Sequence, residues 1–327
     1  MAVSHRRGKQ EPKGGGTRYS LTEAVDGPVQ SQRLMGIGLA LISAVFFAVA
    51  NTLAGIAYQG GSNPFTLSAT RFILPAVLLF VILVANGKPI ALDRRAAGIA
   101  ALLGILSVVY TFALLKAIEL LPVTIAILIF YLFPILTAFI LAFLGAGRLT
   151  AKILTSTLVV FFGLGLALAV KFGELNTVGM LAGLVSAVGF AVVCSVSNRL
   201  MYAQDSRQVT MYLSAAATVA MVAVSCFVDE VRFPVTATGW SGLLFSNVLY
   251  AAAIIGFYRS IAMVGAGAAT FFLNLEPIVV IGTGYLLLGQ TISSWQMVGV
   301  GIVVAALVYA SQPERRVKGA AAPSGAV

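Results

Sequence analysis

The chain has 327 residues, 59% of them apolar and 10% charged, with a mean hydropathy of +0.99, whereas a soluble domain carries roughly 25% charged residues. A water-soluble core is thereby excluded. The net charge of +10 does not describe a nucleic-acid surface either, because Lys and Arg lie between apolar runs and at the two ends instead of along one element.

Residues 1–33 come first, with Arg6, Arg7, Lys9, Lys13 and Arg18 around Gly14 to Gly16, and they read as a solvated, disordered N-tail. The apolar run after them exceeds the 7 to 15 residues of a signal peptide. A spanning helix needs about 20 apolar residues, and ten such stretches fall at 34–57, 64–85, 97–117, 121–144, 151–170, 177–198, 208–228, 239–258, 264–288 and 294–311. The connections are short, which leaves the bilayer as the place of action. Residues 312–327 read as a short C-tail on the same side as the N-tail.

Several side chains within these spans are ones lipid cannot satisfy. Asn51 falls in the first span, Tyr110 in the third, Tyr131 in the fourth, Asn247 and Tyr250 in the eighth, and Asn274 in the ninth; each serves either a polar cavity or interhelical hydrogen bonding. Arg71 lies roughly 10 Å into the second span at 1.5 Å per residue. It either snorkels to the headgroups or turns inward to meet Glu276 or a substrate carboxylate. Pro134 and Pro277 each release the carbonyl four residues earlier, at Phe130 and Leu273, which marks a bend or a cavity side; Pro75 does the same for Arg71. Glu276 stands near the middle of the ninth span, where an acidic residue costs roughly 3 kcal/mol unless it is paired, protonated or facing a polar cavity. Gly163, Gly165, Gly299 and Gly301 permit close helix approach.

Cys194 and Cys226 both sit in apolar segments and read as packing residues, and the single histidine, His5, lies in the N-tail. Neither a zinc site nor an imidazole base is available in the membrane, and no metal or cofactor is expected.

With an even number of spans, 17 of the 21 Lys and Arg residues fall on the side of the two tails. The positive-inside bias therefore makes both termini cytoplasmic and puts Trp240 and Trp295 together at the outer boundary. Sliding the chain by 143 residues lays Ser43 to Val49 on Ser186 to Val192 with six of seven identical, and brings Pro134 onto Pro277. Each half holds five spans, an odd number, so the halves are inverted, as in alternating-access transporters. The expected fold is an all-α membrane protein with ten transmembrane helices, built as two inverted five-helix repeats, 34–170 and 177–311, around a central cavity.

Leu67 to Phe72 with Arg71, Ile129 to Pro134, and Asn274 to Pro277 resemble the paired EamA-type domains of the drug/metabolite transporter superfamily, over about residues 34–311. The resemblance implies transport of a small metabolite, often export, through a cavity bordered by the first, third, fourth, sixth, eighth and ninth helices. The chain departs from the family where an acidic residue often follows the fourth and ninth helices, since Gly147 and Gln290 stand there. The resulting expectation is a secondary transporter of a bacterial inner membrane that exports an amino-acid-like or amphipathic compound. Its partners are a small-molecule substrate and the lipid bilayer, with no nucleic acid, and the sequence is compatible with a monomer or a homodimer. A membrane-embedded enzyme or a non-transporting receptor or scaffold is the alternative. The enzyme is poorly supplied, because Asp26, Asp93, Asp205 and Asp229 all lie outside the spans.

Overall fold

The computed structural model describes the backbone of residues 21–147, 150–170, 176–289 and 291–312, with side chains from residue 30 onward except at Leu288. Among the described residues every regular element is a helix. The first span is α1 (Leu21–Gln59); the second is broken into α2 (Pro64–Thr70) and α3 (Ile73–Ala85); the third is α4 (Arg94–Leu120). The fourth is broken into α5 (Val123–Phe130) and α6 (Phe133–Phe143), and the fifth is α7 (Ala151–Ala167). In the second half, α8 (Thr177–Ala203), α9 (Ser206–Ser225) and α10 (Ala237–Val264) precede a broken ninth span, α11 (Ala266–Phe272) and α12 (Leu275–Leu288), and α13 (Ser294–Ser311) is last. Nine of the ten spans are at least 18 residues long and apolar enough to cross a membrane; α7, at 17 residues, is slightly shorter.

Local chemistry sets the span ends. Asn63, Thr150, Asn176, Thr236 and Ser293 each precede a helix and accept from the backbone N–H three residues on, at 2.9 to 3.3 Å. Such caps satisfy amides that lipid leaves orphaned. Residues 21–33 do not belong to a disordered tail, because they continue α1 as helix. A helix already nucleated in the bilayer extends at one hydrogen bond per added residue, and the polar composition of Thr22, Glu23 and Gln30 does not oppose that. Residues 1–20 and 313–327 of the expected tails lie outside the described residues.

The principal pairings come as symmetry mates. α1 packs along α10 as α8 packs along α4, and α1 meets the broken ninth span as α8 meets the broken fourth; α3 with α9 and α7 with α13 pair across the axis. This is the arrangement that two inverted repeats generate. Small residues make the seams, as expected where lipid gives no hydrophobic drive to association. Along α1 and α10, Ser246 Oγ donates to the Ala50 carbonyl at 2.8 Å and Ser260 Oγ to the Gly36 carbonyl at 2.7 Å.

The α7–α13 seam closes on two of the four expected glycines. A side chain on Gly299 would lie 2.7 Å from the Gly163 carbonyl oxygen, and one on Gly163 would lie 2.9 Å from Ile302, whereas Gly301 faces open space. Gly299→Val is therefore expected to destabilise the protein by about 2 kcal/mol through overpacking, while Gly301→Ala leaves it unchanged. Thermal unfolding of the purified variants in detergent checks both.

Candidate functional site

Three prolines organise the middle of the bundle. A proline cannot donate to the carbonyl four residues before it, and each of the three broken spans is interrupted just upstream of one: at Arg71–Phe72 before Pro75, at Tyr131–Leu132 before Pro134, and at Leu273–Asn274 before Pro277. The Leu273 carbonyl is not left free, as the proline alone would leave it. The backbone N–H of Glu276 donates to it at 2.9 Å, and that of Asn274 donates to the Phe271 carbonyl at 3.2 Å, so tight i→i−3 bonds replace the lost ones. The break also consumes Asn274, whose Nδ2 donates to the Phe271 carbonyl at 2.7 Å and whose side chain is 1% exposed. Asn274 shapes the break and does not reach the carboxylate two residues on.

Glu276 sits in the first turn of α12, where the helix dipole favours a carboxylate. Its Oε1 accepts from Asn51 Nδ2 of α1 at 2.8 Å, and the Tyr131 hydroxyl stands beside the same carboxylate. Two turns further along α12, Thr283 and Thr52 of α1 share a hydrogen bond of 2.7 Å. Sequence reasoning missed this threonine pair. The available signal was the neighbourhood of Asn51, since each threonine also bonds a carbonyl of its own preceding turn and so reads as self-satisfied.

Arg71 does not snorkel. Its guanidinium lies over the Tyr250 ring, 4.5 Å from the centroid, and its Nε is buried without a hydrogen-bond partner. Tyr250 is held in turn against Phe47, at 5.4 Å between centroids, and Phe72, at 5.8 Å. Asn247, one turn before Tyr250 on α10, donates through Nδ2 to Thr70 Oγ1 at 3.0 Å, while its Oδ1 is buried and unpartnered. Arg71 is within electrostatic reach of Glu276 but forms no ion pair with it; among the described residues the ion pairs are Lys116–Glu119 and Arg207–Asp205.

Tyr110 packs 5.3 Å from Phe190 and against Gly189, and Phe190 leads on to Phe130 and Phe133. This aromatic layer lies beside the polar cluster. A cavity of about 680 Å³ runs from Pro134, Phe271 and Phe272 at mid-bundle to Arg33 and Lys152 at the end that carries the chain termini. Gly147 lines it in place of the acidic residue expected from the family resemblance, while Gln290 lies outside the described residues.

The geometry therefore offers one carboxylate and one guanidinium that form no ion pair with each other, with amide, phenol and aromatic groups around them. Asn51→Ala removes the side-chain donor seen on Glu276, and a hydrogen bond to a charged group contributes roughly 1.5 to 3 kcal/mol. Substrate binding measured on the purified variant is expected to weaken by about tenfold.

The model of the EamA-like transporter family matches residues 34–169 and again 177–312, nearly the whole of both halves. The chain belongs to the EamA-like transporter family. A solved structure titled only as the crystal structure of a protein superposes with a TM-score of 0.71 at 20% identity, covering 86% of this chain and 98% of its own, and it shows the fold alone. No curated protein matches the chain. Membership makes this an integral membrane transporter of the drug/metabolite type, and in this EamA-like transporter the broken fourth and ninth spans are equivalent elements of the two repeats.

Proposed function

We propose that the chain is a secondary transporter that exports an amino-acid-like or amphipathic metabolite by alternating access to a midplane site. The observation that carries this reading is that Glu276 and Arg71 form no ion pair: a ligand with both an ammonium and a carboxylate would complement two half-buried groups of opposite charge that leave each other unpaired. Asn51, Tyr131, Asn247 and Tyr250 supply the surrounding polar and aromatic contacts, and Tyr110 belongs to the aromatic layer beside them. The breaks at Pro134 and Pro277 act as the bends about which the two halves exchange conformations.

The distribution of Lys and Arg supports placing both termini in the cytoplasm, and the 680 Å³ cavity then opens inward; Pro134 lines it, whereas Glu276, Arg71 and the polar groups around them do not. Purified protein in liposomes, tested against amino acids, amines, organic acids and nucleosides, is expected to move zwitterionic compounds fastest. Flux of none of them above protein-free vesicles, with the protein correctly folded, would overturn the assignment.

A further inference from the structure

A second opening lies apart from the central cavity, at the crossing of α4 and α8. At the end shared with the chain termini these helices part and leave a groove of about 450 Å³ lined by Arg95, Ile99, Val196, Arg199, Leu200 and Gln204. None of these residues lines the central cavity.

The pseudo-twofold supplies an internal control for this groove. The same shift of 143 residues relates it to the crossing of α1 and α10 at the opposite end. That crossing is shut by glycines. A side chain on Gly60 would stand 2.5 Å from the Gly239 Cα, and one on Gly242 would stand 2.8 Å from the Ala57 backbone nitrogen. In the α4–α8 crossing the positions of Gly60, Gly239 and Gly242 hold Ala203, Ala96 and Ile99, and a Cβ at each is incompatible with the close approach that the glycines allow. The two arginines also break the symmetry, since Arg95 and Arg199 replace Thr238 and Ile56. One crossing is closed and neutral; its mate is open and doubly cationic.

The nearby carboxylates do not neutralise it. Asp93 accepts from the Arg95 backbone N–H at 3.1 Å as the cap of α4, and Asp205 pairs with Arg207 at 2.6 Å. Among the described residues neither Arg95 nor Arg199 forms an ion pair. Both are exposed, at the termini of spanning helices, where headgroups lie, and Lys88, Arg94 and Arg259 add further positive charge at the same end. Guanidinium groups hold phosphate oxygens through paired N–H donors, and Ile99 and Val196, each about one turn nearer the middle of its span than Arg95 and Arg199, extend the groove toward the bilayer core with an apolar wall. A soluble anion has no use for that wall.

We propose that this groove binds an anionic phospholipid, its phosphate held by Arg95 and Arg199 and its first acyl carbons laid along Ile99 and Val196. The test is native mass spectrometry of the full chain in detergent, titrated with phosphatidylglycerol, phosphatidylcholine or free glycerol phosphate. Phosphatidylglycerol is expected to bind in preference to both others. The Arg95→Gln/Arg199→Gln double variant is expected to bind it roughly thirtyfold more weakly, from the surface attraction of two basic groups. Lys116→Gln/Arg232→Gln, at the opposite end, leaves binding unchanged. If the first variant does not fold, Ile99→Trp serves instead, filling the groove with both arginines intact and again removing the lipid. Undiminished phosphatidylglycerol binding by the variant, equal binding of phosphatidylcholine, or glycerol phosphate binding as tightly as the lipid overturns the proposal.

Discussion

Glu276→Gln is expected to lower the initial transport rate in proteoliposomes by about a hundredfold while leaving the unfolding temperature near that of the parent. The magnitude follows from charge-assisted hydrogen bonding. A carboxylate that receives a substrate ammonium through two such bonds supplies roughly 3 kcal/mol over a neutral amide, and 2.7 kcal/mol is about a factor of a hundred. The amide fits the same volume and still accepts from Asn51 Nδ2, so the fold does not depend on the charge. Glu276→Asp keeps the charge but withdraws it by one methylene from Asn51 and Tyr131, and an intermediate rate is expected. Undiminished flux through Glu276→Gln would remove this residue from the mechanism and, with it, the reason for expecting a substrate with a cationic group.

Arg71 yields the complementary result. Arg71→Met is expected to reduce transport of zwitterionic substrates by about thirtyfold, because an Arg–carboxylate pair in a site of reduced dielectric is worth roughly 2 kcal/mol. Amines that lack the carboxylate should lose little. The comparison is within one variant, so a general loss of protein cannot imitate it. Arg71→Lys retains the charge without the planar fork or its stacking on Tyr250, and it should recover only part of the affinity. Stability should fall only modestly in either variant, since the Nε of Arg71 is buried without a partner and the loss is confined to the guanidinium's contact with Tyr250. Equal losses for amines and zwitterions would assign Arg71 to packing against Tyr250 instead of to carboxylate recognition.

Much of this architecture could be read from the residues because the bilayer asks simple questions of a sequence. A span of about 20 apolar residues has few other uses, and the second and tenth spans, 64–85 and 294–311, coincide with the ends of α2–α3 and α13. The 143-residue offset was legible because whole motifs recur, and the α1–α10 and α4–α8 pairings follow it. The prolines announced the breaks, since the loss of a donor is a covalent property of the residue.

What escaped depends on direction in three dimensions. Arg71 at a depth of about 10 Å is equally able to reach out or in, and only the position of Tyr250 on α10, far away in the chain, decides it. Asn274 has the same chemistry as Asn51, yet one closes on its own turn while the other reaches Glu276, a difference set by the helix break. The helical start at Leu21 was hidden because composition speaks of solvation, whereas helix propagation depends on what has already folded beside it. The open α4–α8 crossing could be seen only by comparing it with its glycine-closed mate.

Alternating access by two inverted halves requires that the Glu276 site be reachable from either face in turn. Asn51→Cys, in a chain with Cys226→Ser, places a single reactive thiol beside Glu276, because Cys194 is fully buried. Labelling by a membrane-impermeant maleimide is to be measured in right-side-out and inside-out vesicles. Alternating access predicts modification from both faces, slowed in each case by a transported zwitterion; a thiol that reacts from one face alone, with or without substrate, would contradict it.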